Sequence, residues 1–176
     1  MAEITRTTIR RPARHARPVR FGAALAVAGL ALAACGGASQ TDETVRDESG
    51  AIVEEGEVGA FKVQVGDCIS GVEEGLVETA NGVTCDGMHQ YEVYYSHLLP
   101  AGDYPGDVAI NEAAQSECLE AFEPFVGLSY DQSVYGFTAL TPVQDSWERI
   151  DDREILCLIG NYDGTDKSGS ARGSAV

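Results

Sequence analysis

His89 stands between Asp86 and Glu92, and a histidine flanked by nearby carboxylates is the composition of a proton-transfer pair or a small metal site. The setting argues for a quieter role. Residues 91–97, rich in Tyr and Val, read as a strand, in which alternate side chains share a face. His89 and His97 would then lie on one face while Glu92 points to the other. Eight residues of extended chain separate the two histidines by about 26 Å, at about 3.3 Å per residue, so they cannot chelate one ion. A turn ahead of Tyr91 would instead carry Asp86 or Glu92 to His89. Structural hydrogen bonding is the expected role of His89, with ligand contact second. Trp147 and the seven tyrosines suit a binding face, although core and half-buried strand positions take such residues more often. The sequence has no G-x-S-x-G elbow, no Gly-rich phosphate loop and no cysteine left free to act beside a histidine. It therefore predicts no catalytic residue, metal or cofactor, and the candidate binding residues are His89, Glu92 and Trp147.

The five cysteines divide by position. Cys35 follows an apolar run, whereas Cys68, Cys85, Cys118 and Cys157 lie within the folded part and contain no C-x-x-C pair of the kind structural zinc sites use. An even number in a small exported domain reads as a disulfide framework. Three pairings are open. The expected one is Cys68–Cys85, tying the end of a first strand to the start of the Tyr91 strand, with Cys118–Cys157, pinning a helix to the last strand. Loop closure in the unfolded chain gives about 3 kcal/mol for the shorter loop and about 4 for the longer.

The element that would bring these thiols to an oxidising compartment is the N-terminus. Arg6, Arg10, Arg11, Arg14, Arg17 and Arg20 form a basic region opposed only by Glu3. An uncharged run from Phe21 to Ala34 follows, and its fourteen residues fall short of the about 20 that span a bilayer comfortably. Leu32-Ala33-Ala34-Cys35 closes it, and this order looks like a bacterial lipobox. The thiol of Cys35 would receive a diacylglyceryl group, and the small residues before it would fit the peptidase that cuts there. Residues 1–34 thus read as a lipoprotein signal peptide. Arg10-Arg11 is followed by Pro12 and lacks the flanks of a twin-arginine signal, which leaves the export route open.

The whole chain carries 12 basic and 28 acidic side chains, a formal charge of −16, and loss of residues 1–34 would move the balance to 6 − 27 = −21. Such a surface disfavours nucleic acid and anionic headgroups. Residues 35–59 are acidic, with Arg46 as their single cation, and read as a flexible tether; residues 163–176, rich in Gly and Ser, read as a disordered tail. Between them, residues 60–162 are long enough for one small domain that gains from covalent bracing. Residues 61–65 alternate as a strand does, and further strands are expected at Tyr91–His97, Tyr135–Leu140 and Glu154–Ile159. A helix capped by Asp107 would place Ile110, Ala114, Cys118, Ala121, Phe122 and Phe125 on one face, with Gly127 closing it and a helical turn later around Trp147. The fold class is α+β: a small, mostly antiparallel sheet with one main helix packed on it and two disulfides.

Several spaced motifs recur in a known family. They are Val65-Gly66-Asp67-Cys68, Val83-x-Cys85, His89-x-x-Glu92-Val93-Tyr94, Tyr104-Pro105-Gly106, Cys118-x-x-x-Phe122, Phe125-Val126-Gly127, Leu140-x-Pro142, Ser146-Trp147, Asp152-Arg153 and Cys157. Over about residues 61–160 this closely resembles the septum formation domain of exported, lipidated or membrane-anchored actinobacterial proteins. Met88 stands where a proline usually precedes the histidine, and Asp151 where a glycine is common. The resemblance implies an extracytoplasmic compartment, paired cysteines and a link to division septa, and brings no catalytic residue with it. The expectation is a non-catalytic module held at the membrane by a lipid anchor, with envelope or division proteins as partners and no nucleic acid. A general envelope lipoprotein that binds a small ligand or stabilises another exported complex comes second, and a metal-dependent enzyme built on His89 third.

Overall fold

A computed structural model describes residues 43–73, 75 and 77–176. The leader and Cys35 lie outside them. The strands are β1 (Val45–Arg46), β2 (Ile52–Glu54), β3 (Gly56–Gly59), β4 (Cys68–Ser70), β5 (Thr79–Val83), β6 (Tyr91–Leu98), β7 (Tyr135–Leu140) and β8 (Glu154–Asn161), with helices α1 (Asp107–Val126) and α2 (Gln144–Ile150). Strands β3-β5-β4-β6-β8-β7, in that order, form one antiparallel sheet, and β1 and β2 pair separately as a hairpin. The α+β class and its main helix are as the sequence predicts.

Strand β8 explains why both faces of the sheet are covered. Ile155-Leu156-Cys157-Leu158-Ile159 is apolar at every position, and all five residues are buried. Such a run suits a strand packed on both sides. Ile155, Cys157 and Ile159 meet α1, whereas Leu156 and Leu158 join Val93, Ile69, Val58, Val63 and Ala80 on the other side. The pairing of β6 with β8 shifts register between Val93 and Tyr95, and this bulge leaves Val93 on one face and Tyr94 and Tyr95 both on the α1 side. Val93 joins the second cluster, and Tyr94 turns to the helix, where its hydroxyl donates to the Cys118 carbonyl at 2.5 Å.

Helix α1 buries Ile110, Ala114, Cys118, Phe122, Phe125 and Val126, the stripe its spacing predicts with Ala121 at the margin. Gly127 ends it at φ 84°, a left-handed conformation that glycine adopts without steric cost. The cap at the other end differs from expectation. Gly106 occupies it, and Asp107 is the first helical residue, where its charge favours the helix dipole. Both expected disulfides are present: Cys68–Cys85 joins β4 to the loop after β5, and Cys118–Cys157 joins α1 to β8.

Three segments depart from the reading of the sequence. Residues 61–65 do not form a strand; Ala60–Lys62 is a 3-10 turn with Phe61 exposed. Asp67 organises that loop by accepting the Gln64 N–H at 2.9 Å and the Arg46 guanidinium at 2.5 and 2.7 Å. The same Arg46 overturns the tether over its described part, residues 43–59. Its ion pair docks the β1–β2 hairpin, Ile52 and Val58 are buried, and β3 joins the edge of the sheet. Residues 163–176 are not a disordered tail either. Gly169 N–H bonds to the Cys85 carbonyl, Gly173 and Ala175 N–H bond to Phe125 and Val126 carbonyls, and Ala171 is fully buried.

Candidate functional site

The structure brings His89 and Glu92 together through a third residue, Lys167, which belongs to no motif of the sequence. His89 and Lys167 form an antiparallel bridge, each N–H bonded to the other's carbonyl at 2.8 and 2.9 Å. The Lys167 Nζ lies 2.9 Å from His89 Nε2, 2.5 Å from the Gly169 carbonyl and 3.6 Å from Glu92 Oε2. Glu92 also accepts the Ser170 hydroxyl at 2.5 Å and the Ala171 N–H at 2.7 Å. His89 Nδ1 lies 3.0 Å from the Gly87 carbonyl. A neutral ring that donates from Nδ1 and accepts the ammonium at Nε2 satisfies every partner. Burial holds the His89 pKa below its ordinary value, opposed by the Gly87 bond and helped by the Lys167 charge. Burial likewise lowers Lys167, against the pull of Glu92.

All three side chains are buried, and their bonds tie the C-terminal segment to the start of β6. This arrangement holds chain together; it offers no open atom to a substrate. Asp86, the other acid considered beside His89, is exposed.

Trp147 is an anchor as well. It is buried, its Nε1 donates to the Gly102 carbonyl at 2.9 Å, and Tyr104 meets its ring edge to face at 5.7 Å. The Arg153 guanidinium stacks 3.6 Å above it and pairs with Asp151 at 2.7 Å. Asp151 ends α2 at φ 58°, a left-handed position where glycine is the residue without strain. Asp152 does not pair with its neighbour Arg153. It accepts the Ser146 hydroxyl at 2.9 Å and the Glu154 N–H at 3.2 Å.

The open chemistry lies beside that anchor, on the sheet face opposite α1. A groove of about 410 Å³ runs between the 3-10 turn, the end of β7 and α2. Phe61, Leu140, Val143, Ile150 and Leu156 supply its apolar lining, and Asp152 and Glu154 its charge. Phe61 is 70% exposed and Ile150 58%, an uncommon concentration of large apolar side chains around one depression. Local bonds fix its α2 wall: the Val143 N–H donates to Ser146 Oγ at 3.1 Å, and the Ser146 hydroxyl donates to Asp152 or to the Val143 carbonyl. The volume lies within the range of about 300–1,000 Å³ that ligand pockets occupy. Sequence reasoning missed this groove because residues 61–65 read as a strand. The apolar Ile150 at the end of a short polar helix was the signal available.

A family model described as septum formation matches residues 65–176, a stretch that takes in both disulfides, the buried cluster on Lys167 and the C-terminal segment. No curated protein and no solved structure matches the chain.

Proposed function

The chain belongs to the septum formation family, and on that premise we propose that it is a lipid-anchored, extracytoplasmic, non-catalytic interaction module serving cell division. The observation that carries the interaction role is the apolar groove, which presents Phe61 and Ile150 to solvent beside a rigid sheet. The compartment is supported by two disulfides in a domain of this size and by the basic and apolar leader ending at Cys35. The burial of His89, Glu92 and Lys167 supports a structural role for the residues best suited to catalysis. Cys35 holds the anchor, and two or more acyl chains give stable attachment where one does not.

A fluorescent fusion in dividing cells tests this reading. Enrichment at septa, lost in Cys35→Ala, together with altered cell length on deletion, is the expected result. An even distribution with normal division would remove the septal role. The groove also favours a second reading, an envelope lipoprotein that takes a small apolar ligand, because its volume suits one. Native mass spectrometry of the purified chain separates the two by showing whether a small molecule co-purifies.

A further inference from the structure

Every cation of the described residues already has a partner. Arg46 pairs with Asp67, Lys62 with Glu43, Arg149 with Asp145, Arg153 with Asp151 and Lys167 with Glu92, while Arg172 stacks over Phe125. The acidic side chains far outnumber them, so most of the negative field is uncompensated. At the groove this becomes local. Asp152 and Glu154 hold hydrogen bonds from Ser146, Ser96 and the Glu154 N–H, and the Arg153 guanidinium donates to the Asp152 backbone carbonyl at 2.8 Å, yet among the described residues no basic side chain pairs with either carboxylate within 4.0 Å. An apolar trough with a rim of anions selects a ligand with apolar side chains and positive charge beside them.

Building on the interaction role proposed above, the geometry points to a docking site for a peptide segment of another protein, in which Leu, Ile or Phe side chains enter the groove and flanking Lys or Arg meet Asp152 and Glu154. Charge decides against the other occupants. A second copy of this chain and an anionic membrane both bring more negative charge to a negative rim, and a neutral apolar ligand leaves the two charges unpaired. Phe61 and Ile150 are the anchors. They project from a turn and from the end of a helix, so a ligand can cover them without moving the core.

The test is fluorescence anisotropy with the full chain in mild non-ionic detergent and three labelled peptides: alternating Leu and Lys, the same peptide with Glu for Lys, and the same with Ser for Leu. The Leu/Lys peptide binds, and the other two bind at least about tenfold more weakly, the loss expected when an anchor or a charge pair is removed. Phe61→Ser and Ile150→Ser each weaken the Leu/Lys peptide about tenfold. Glu154→Gln weakens it and flattens its dependence on salt, whereas Glu120→Gln, on the exposed side of α1, changes neither. Equal binding of the Ser or Glu peptide, groove variants that bind as the parent does, or no binding at all would each overturn the proposal. Localisation of Ile150→Ser in cells keeps the two ideas apart. Septal enrichment of the parent without peptide binding removes the groove assignment alone, and peptide binding without septal enrichment removes the division role alone.

Discussion

The two faces of the sheet around β8 are built from the same strand and finished differently. On one, α1 lies across β6, β8 and β7. Cys118, Phe122, Val126, Ile155, Cys157 and Ile159 are fully buried there, and Tyr94, Phe122, Phe125, Tyr130 and Phe137 pack as a series of tilted and edge-to-face aromatic pairs. On the other, Leu156 and Leu158 pack with Val58, Val63, Ile69, Ala80 and Val93, and the 3-10 turn and the short helix α2 leave a groove and exposed apolar residues beside them. A twenty-residue helix presents a continuous stripe that can close a core, whereas short irregular pieces cannot meet without gaps. The helix thus closes one side along its whole stripe, and the other keeps apolar surface open at the groove.

Removing the covalent tie on the closed face is the largest break. Cys118→Ala with Cys157→Ala should lower unfolding stability by about 4 kcal/mol from the released loop alone, read as a fall in the denaturant midpoint of oxidised protein. The matching change at Cys68 and Cys85 frees a shorter loop and should cost about 3 kcal/mol. A larger loss from Cys68 and Cys85 than from Cys118 and Cys157 would show that native contacts around the shorter loop outweigh chain entropy.

Next comes the cluster that fastens the C-terminal segment to the closed side. Glu92→Gln leaves the Lys167 ammonium buried without its counter-charge, and breaking such a pair costs about 3 kcal/mol. Limited proteolysis should then cut within residues 163–176, which resist in the parent. His89 adds a smaller, pH-dependent share. Its folded pKa is lowered, so from about pH 6.5 downward the unfolded chain takes up the proton first. Stability is full above that value and falls until the folded ring itself titrates. The denaturant midpoint should decline between about pH 7.5 and pH 5 more steeply in the parent than in His89→Gln.

That cluster also marks where the sequence was legible and where it was not. Helix α1, β6 and β7 show in the chain by their own patterns and β8 as a short continuous apolar run, and the expected cysteine pairing joins those elements. The hairpin, β5 and the C-terminal segment do not, since their order depends on partners elsewhere. Lys167 meets His89 across 78 residues and Arg46 meets Asp67 across 21, so Gly/Ser content suggests a loose tail and acidic charge a loose tether where pairs exist. In β5 the Asn81-Gly82 step resembles a turn. The structure uses Gly82 for close approach instead, because a Cβ there would lie 2.6 Å from Thr44 and 2.7 Å from Ile52. Trp147 stands out by its type, but only the fold shows that it supports the groove wall rather than lining it.

The smallest expected effect on stability tests the open face most directly. Phe61 and Ile150 are 70% and 58% exposed, so Phe61→Ser and Ile150→Ser remove little buried area. Each should change unfolding stability by no more than about 0.5 kcal/mol, the usual span for surface positions. The contrast with Phe122→Ala is the decisive one, since emptying that fully buried site should cost about 3 to 5 kcal/mol. Should Phe61→Ser or Ile150→Ser destabilise by a comparable amount, the groove would be part of the core in solution, closed by side chains that fold inward, and the division of labour between the two faces would be lost. A near-zero change means instead that these apolar side chains contribute little to the free chain, as the docking role proposed for them requires.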